Sequence, residues 1–96
     1  MNPYLAVAAL VAAGVHGIEH ALPLEPETGG NAYASDAPRV PSTLGAAAEL
    51  LAGSSMAVDA FGADVVGHYV HAAEVELAAF ESSVTDWERF RGFERL

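Results

Sequence analysis

From Pro3 to Val15 the chain carries no charged residue, and the Tyr4 hydroxyl is the only polar side-chain group in the run. This stretch constrains the fold more than any other feature, because whatever it forms has to be covered. Asn2-Pro3 opens it with a residue suited to cap a helix and one suited to the first helical position. The alanine-rich sequence that follows predicts a helix to about Ala21, where Leu22-Pro23 ends it. At helical spacing Val7, Val11, Gly14, Ile18 and Leu22 fall on one side, and the opposite side is alanine until His16, Glu19 and His20. A helix apolar on nearly all sides is one covered on nearly all sides. Gly14 and Gly17 each cost about 1 kcal/mol relative to alanine, so their presence predicts close approach by something bulkier. The run falls short of the roughly 20 residues that span a bilayer. Met1-Asn2-Pro3-Tyr4 also lacks the positive charge that opens a signal peptide. The expected setting is a buried helix of a cytoplasmic protein without a membrane partner.

The rest of the chain offers little to do the covering. Alanine supplies 20 of 96 positions and aromatic residues only 8%, so the apolar content is high but each residue buries little area. Thirteen acidic residues face four arginines and no lysine, for a net charge of −9. Arg89, Arg91 and Arg95 crowd the end of the chain, which leaves Arg39 as the sole cation before them. Nucleic-acid binding needs clustered basic residues, so that class of function is excluded. Without cysteine there is neither a disulfide framework nor a thiolate chemistry. A dense carboxylate surface without lysine suits a salt-adapted cytoplasm, and a high-GC genome, which replaces lysine by arginine and enriches alanine, gives the same pattern.

No strand pattern occurs, and the chain reads as all-α: about four helices with one long Pro/Gly loop. The apolar helix occupies residues 1–22. Residues 23–41 hold four of the five prolines together with Gly29-Gly30 and read as loop. Loops of this length inside small domains are functional or drape over other surface. Residues 42–61 read as a helix from Ser42 or Thr43 to Ala52, a break at Gly53-Ser54-Ser55, and a short helical turn. Residues 62–83 form an amphipathic helix with Val66, Tyr69, Val70, Ala73, Leu77 and Phe80, continued by Val84, on one side. Residues 84–96 form a capped helix. Thr85-Asp86-Trp87-Glu88 is a capping box, and Trp87, Phe90, Phe93 and Glu94 follow at helical spacing.

Two histidine groupings are candidates for metal chemistry. His16-Gly17-Ile18-Glu19-His20 has the H-x-x-E-H order of inverted zincins, in which two imidazoles on one face reach a zinc ion and the glutamate handles a proton. Such an enzyme needs a third ligand and a cleft from elsewhere. The plain reading is a helix turning polar at its C-terminal end, where imidazolium suits the macrodipole. Asp64, His68 and His71 align opposite the apolar stripe and read as a solvated face, since helical carboxylate–histidine metal sites point into a bundle core. Ser54-Ser55 and Ser82-Ser83 read as breaks and caps, and Gly29-Gly30 lacks the strand, helix and lysine of a phosphate loop. Trp87, Phe90 and Phe93 either pack back on the preceding helix or form a partner-binding stripe. No residue is assigned a catalytic or cofactor-binding role, and His16, His20, His68 and His71 remain the metal candidates.

The order of elements carries a resemblance. Asn2-Pro3-Tyr4-Leu5, an alanine-rich helix, Gly17-Ile18-Glu19, then a proline-rich loop with Asn31-Ala32-Tyr33 and Pro38-Arg39 form one familiar run. Glu74, Glu76 and Phe80 leading into Val84-Thr85-Asp86-Trp87-Glu88-Arg89 form its ending. Together they resemble the C-terminal part of the glutamine synthetase catalytic domain, with an ending similar to the branch that includes γ-glutamylpolyamine synthetases. The resemblance implies an α+β parent domain in which the first helix packs on a large sheet. It further implies an ATP-dependent ligase with Mg or Mn ions, in which glutamate is phosphorylated and ammonia or an amine displaces the phosphate. In that family the metal ligands and the arginines for ATP and glutamate lie upstream of the Asn-Pro-Tyr run. The resemblance therefore carries no catalytic, metal or cofactor residue onto this chain. Tyr33 stands where some bacterial members are adenylylated. Asn31-Ala32-Tyr33-Ala34-Ser35 lacks the usual Asp-Leu-Pro-Pro continuation, and Tyr33 is expected to be an ordinary loop residue. The family's C-terminal segment often joins subunits, a role Trp87, Phe90 and Phe93 can fill.

Three readings follow. The leading one is a C-terminal fragment of such a ligase, inactive alone, whose partner is the remainder of the catalytic domain. The second is a small acidic helical module that self-associates through the first helix and Trp87–Phe93. The third is a metal-binding helical protein using His16/His20 or His68/His71.

Overall fold

The computed structural model describes residues 2–34, 36–93 and 95; Met1, Ser35, Glu94 and Leu96, and with them the expectations that touch those positions, lie outside it. The all-α expectation holds, and no strand occurs among the described residues. Five α-helices follow one another among them: α1 (Pro3–Glu19), α2 (Leu44–Ala52), α3 (Ser55–Phe61), α4 (Ala63–Glu81) and α5 (Asp86–Phe93). One turn of 3-10 helix, Ala32–Ala34, punctuates the loop between α1 and α2.

The helix starts are written in the sequence. Asn2 Oδ1 accepts from the amides of Tyr4 and Leu5 at 3.1 and 3.3 Å. Thr43 and Ser54 cap α2 and α3 through bonds from the Ala46 and Ala57 amides. These side chains satisfy orphan donors of the first turns. Gly62, at φ +86°, turns the chain between α3 and α4 in a conformation that L side chains rarely adopt. The end of α1 differs from expectation. Helical geometry stops at Glu19, two residues early, in a Schellman motif: Leu22 N–H donates to the Gly17 carbonyl at 3.0 Å and Ala21 N–H to that of Ile18 at 3.2 Å. Ala21 occupies the left-handed position of that motif at φ +48°. Pro23 thus follows a helix already closed by its own backbone.

What core there is lies between α2, α3 and α4. Packing is most extensive between α2 and α4, then between α3 and α4, and α1 rests chiefly on α3. Among the described residues Ala48, Ala57 and Val66 are the buried apolar ones, one from each of those three central helices. Nine residues of α2 rise about half the length of the 19-residue α4. The α4 stripe is accordingly covered at Val66, Val70, Ala73 and Leu77, and Phe80 runs out beyond its cover.

The molecule measures 60 × 41 × 22 Å with a radius of gyration of 18.5 Å, against about 12–13 Å for a compact domain of this length. Its accessible surface is 8440 Å², against about 5,200 Å² for a compact monomer of this mass. The excess of about 3,200 Å² is of the order that large permanent interfaces bury. Among the described residues no single helix is long and apolar enough to cross a membrane.

Candidate functional site

The first helix presents two different faces. Leu5, Ala6, Ala9, Ala12 and His16 turn toward the other helices and are half-buried. Leu5, Ala6 and Ala9 meet Leu51, Phe61, Val65, Val66 and Tyr69 across an apolar cleft of about 340 Å³. Further along, Ala12, Val15, His16 and Glu19 border Met56, Asp59 and Ala60 of α3. The small face therefore docks. The bulky stripe read from the sequence faces outward: Val7, Val11 and Leu22 are exposed, and Ile18 is 82% exposed. Alanine lets two helix backbones approach, whereas β-branched side chains supply area to a broader partner. A Cβ placed on Gly14 or Gly17 would meet nothing within 4 Å. The close approach that these glycines predict thus involves no described part of this chain.

The histidines separate into two unlike groups. His16 and His20 stack with ring centroids 4.0 Å apart and planes inclined by 29°. His20 Nδ1–H donates to the His16 carbonyl at 2.9 Å. His68 meets the edge of Tyr69 instead, and His71 Nδ1 lies 3.7 Å from the Glu74 carboxylate on an exposed surface. Among the described residues no three His, Asp or Glu side chains gather as a metal-binding set. The structure thus brings His16 and His20 together and leaves Asp64, His68 and His71 without a shared centre.

Helix α5 begins in the reciprocal capping box that its sequence spells. Thr85 N and Oγ1 both donate to Glu88 Oε2, at 2.7 and 2.8 Å, while Glu88 N donates to Thr85 Oγ1 at 3.3 Å. These bonds from Thr85, backbone first and hydroxyl second, hold the Glu88 carboxyl below its ordinary pKa. Packing of the aromatic stripe onto α4 does not occur: Trp87, Phe90 and Phe93 are all exposed, Trp87 by 67%. The Arg91 guanidinium lies 5.6 Å from the centre of the Trp87 ring. In the long loop, Asn31 Oδ1 accepts from the Tyr33 amide at 3.0 Å and Arg39 Nη2 donates to the Tyr33 carbonyl at 3.3 Å. The Tyr33 ring itself is exposed.

The chain thus combines an outward apolar stripe, a long exposed loop and an exposed aromatic end. Among known families, the glutamine synthetase catalytic domain matches residues 1–91. The chain belongs to the glutamine synthetase family. It corresponds to the helical C-terminal part of that catalytic domain. A gamma-glutamylethanolamide synthetase of Streptomyces coelicolor is 57% identical over 96 residues, covering 100% of this chain and 21% of that protein. A type-1 glutamine synthetase of Dictyostelium discoideum is 33% identical over 99 residues, covering 98% of this chain and 19% of its own length. A glutamine synthetase of Methanococcus maripaludis is 33% identical over 95 residues, covering 91% and 21%. The chain thus spans about a fifth of the length of the curated relatives it matches.

Reading the sequence alone missed the docking residues Leu5, Ala6, Ala9 and Ala12. The signal for them was present. Small residues line the face opposite the Val/Ile stripe, and Ala57 and Ala60 supply an equally small surface on α3.

Proposed function

We propose that this chain is the C-terminal helical part of an ATP-dependent carboxylate–amine ligase that joins glutamate to an amine through γ-glutamyl phosphate. The observation that carries this reading is the 57% identity, over every position of the chain, to a gamma-glutamylethanolamide synthetase. A small primary amine or ammonia is the acceptor in this reading. The cytoplasm, where ATP is plentiful, is its place of action.

The chain contributes surface rather than chemistry. The resemblance puts the groups for ATP and for Mg or Mn upstream of Asn2. Among the described residues, Arg39, Arg89 and Arg91 stand apart, engaged with Tyr33, Asp86 and Trp87 respectively. No metal-binding set lies near any of them. The residues present do not fit an ATP–metal site, and no catalytic step runs through them. The role of this chain is to supply α1, whose Val7, Val11 and Ile18 stripe completes the apolar layer of the remaining domain.

The test is complementation. The remainder of the Streptomyces enzyme, lacking the matching fifth, is mixed with this chain in the presence of glutamate, ATP, Mg and ethanolamine. Neither part alone releases phosphate, and the mixture does. Turnover by the 96-residue chain alone, or a soluble complex that stays inactive with both ethanolamine and ammonia, overturns the reading.

A further inference from the structure

We propose that α1 is also a self-association surface: two copies of this chain pair antiparallel along the outward stripe, with Val11 of each seated over Gly14 of the other. Tyr4, Val7, Val11, Ile18 and Leu22 are exposed, and Gly14 among them has open space above it. Val7, Val11, Gly14 and Ile18 are spaced by four, three and four residues, the alternation of a coiled-coil seam. Reversed about the point midway between Val11 and Gly14, the stripe is its own complement. Val7 then meets Ile18 of the second copy, and Val11 meets Gly14. A two-fold contact between identical chains requires this self-complementarity. The glycine leaves a hole where the valine needs one.

Charge selects both the occupant and the orientation. In a chain of net charge −9, the stretch up to Ile18 is the longest without an acidic residue, so two copies can meet there without opposing carboxylates. The stripe lies opposite Leu5, Ala6 and Ala9, which dock on the rest of the same chain. Two copies joined along it keep their acidic helices on the far sides, separated by both α1 helices. With axes about 8–10 Å apart at each layer, that separation exceeds the Debye length of about 8 Å at physiological salt. Antiparallel alignment sets Glu19 of each copy beside the first turn of the other, which holds no acidic residue and carries the positive end of the dipole. A parallel pair would bring the two Glu19 carboxylates together. The 17 residues of α1 extend about 25 Å. A seam of that length buries on the order of 1,000 Å² in total, the lower bound for a specific interface. The dimer is accordingly reversible, with an affinity in the micromolar range.

The experiment is sedimentation equilibrium of the 96-residue chain from about 1 μM to 1 mM, where a monomer–dimer equilibrium is expected. Val11→Gly and Gly14→Val should each weaken the dimer about tenfold or more, the first by opening a void and the second by overfilling the hole. The combined swap Val11→Gly/Gly14→Val exchanges knob and hole in both copies, and should recover most of that loss. The chain has no cysteine, so register can be read by mixing and oxidising Val7→Cys and Ile18→Cys chains. Cross-links should join one variant to the other and not to itself, because like positions lie about 16 Å apart, beyond the reach of a disulfide. Trp87→Ala/Phe90→Ala should leave the dimer intact. The ligase reading uses the same stripe, so the dimer and the completed domain exclude each other. Sedimentation needs only this chain, and either proposal can fail without the other. A monomer throughout the range, a swap no better than its single substitutions, cross-linking of like variants, or loss of the dimer in the Trp87/Phe90 variant overturns the pairing.

Discussion

Helices α2 to α4 and helix α1 are built from similar residues and end in opposite situations. In the middle of the chain, alanine and valine meet alanine and valine, and Val66 is left only 7% exposed. In α1 the same residue types leave no position buried. The difference is geometric. A nine-residue α2 and a seven-residue α3 together cover the stripe of α4 as far as Leu77, whereas α1 rests by its small face, chiefly on α3. Local amphipathicity is therefore satisfied within the chain for one region and left open for the other. The open stripe is the surface that the proposed ligase reading assigns to the rest of the domain.

The largest effects come from placing a charge in each region. Val66→Asp buries an unpaired carboxylate and should cost about 3 kcal/mol or more. In a cluster this small that means loss of the cooperative thermal transition in circular dichroism. Ile18→Asp falls on the open side and should leave the spectrum of the isolated chain nearly unchanged. It should abolish complementation of the truncated ligase. An Ile18→Asp chain that still restores full activity breaks the contrast.

The glycines sharpen it at the next scale. Nothing in this chain approaches Gly14 or Gly17, so Gly14→Ala and Gly17→Ala should each raise the stability of free α1 by about 1 kcal/mol. If the missing partner approaches those positions, the same substitutions should weaken its association. A change of opposite sign in the two assays, helix content up and binding down, is the expected pattern. Gly45 differs, since a Cβ there would make an ordinary 3.7 Å contact with Leu77 Cδ1. Gly45→Ala should stabilise the free chain without a matching loss on association.

The sequence made the caps fully legible and the faces only half so. Asn2, Thr43, Ser54 and the Thr85/Glu88 pair act locally, through atoms within three residues, and all four start helices as their chemistry predicts. Which side of α1 docks is not a local property. Hydrophobic periodicity marks the bulky side as the face to be covered, but it cannot tell a partner inside the chain from one outside it. The docking of the alanine face follows from the small surface of α3, which periodicity within α1 does not register. The histidines show the same division. Spacing put His16 and His20 on one face, yet their stacked rings and the His20 bond to the His16 carbonyl are what distinguish that pair from His68 and His71. The early end of α1 was hidden for another reason. Ala21 adopts a conformation that alanine avoids, and the Schellman bonds it completes are made by backbone atoms. Ala21→Gly should relieve that strain and raise the melting temperature, by an amount that reflects about 1 kcal/mol.

The smallest expected effect belongs to α5, and it is the one governed by pH. Glu88 has a lowered pKa in the folded chain because its carboxylate accepts from Thr85 twice. A carboxyl with a depressed folded pKa contributes stability above its unfolded pKa, and the contribution is lost as pH falls through the folded value. The helical signal of α5 should therefore hold from neutral pH down to the ordinary glutamate range and fade below it. Glu88→Gln should remove that acid-dependent step while keeping part of the cap, since glutamine can still accept from the Thr85 amide. Amide exchange at Arg89 and Phe90 across an acid titration reads this directly, because those residues sit just past the box. Protection at the two positions that is equally insensitive to acid in both chains would show that something other than the box holds α5. With Trp87, Phe90 and Phe93 exposed and no packed face on α4, this end is held helical by local interactions, the capping box first and the exposed Arg89–Asp86 and Arg91–Trp87 contacts after it.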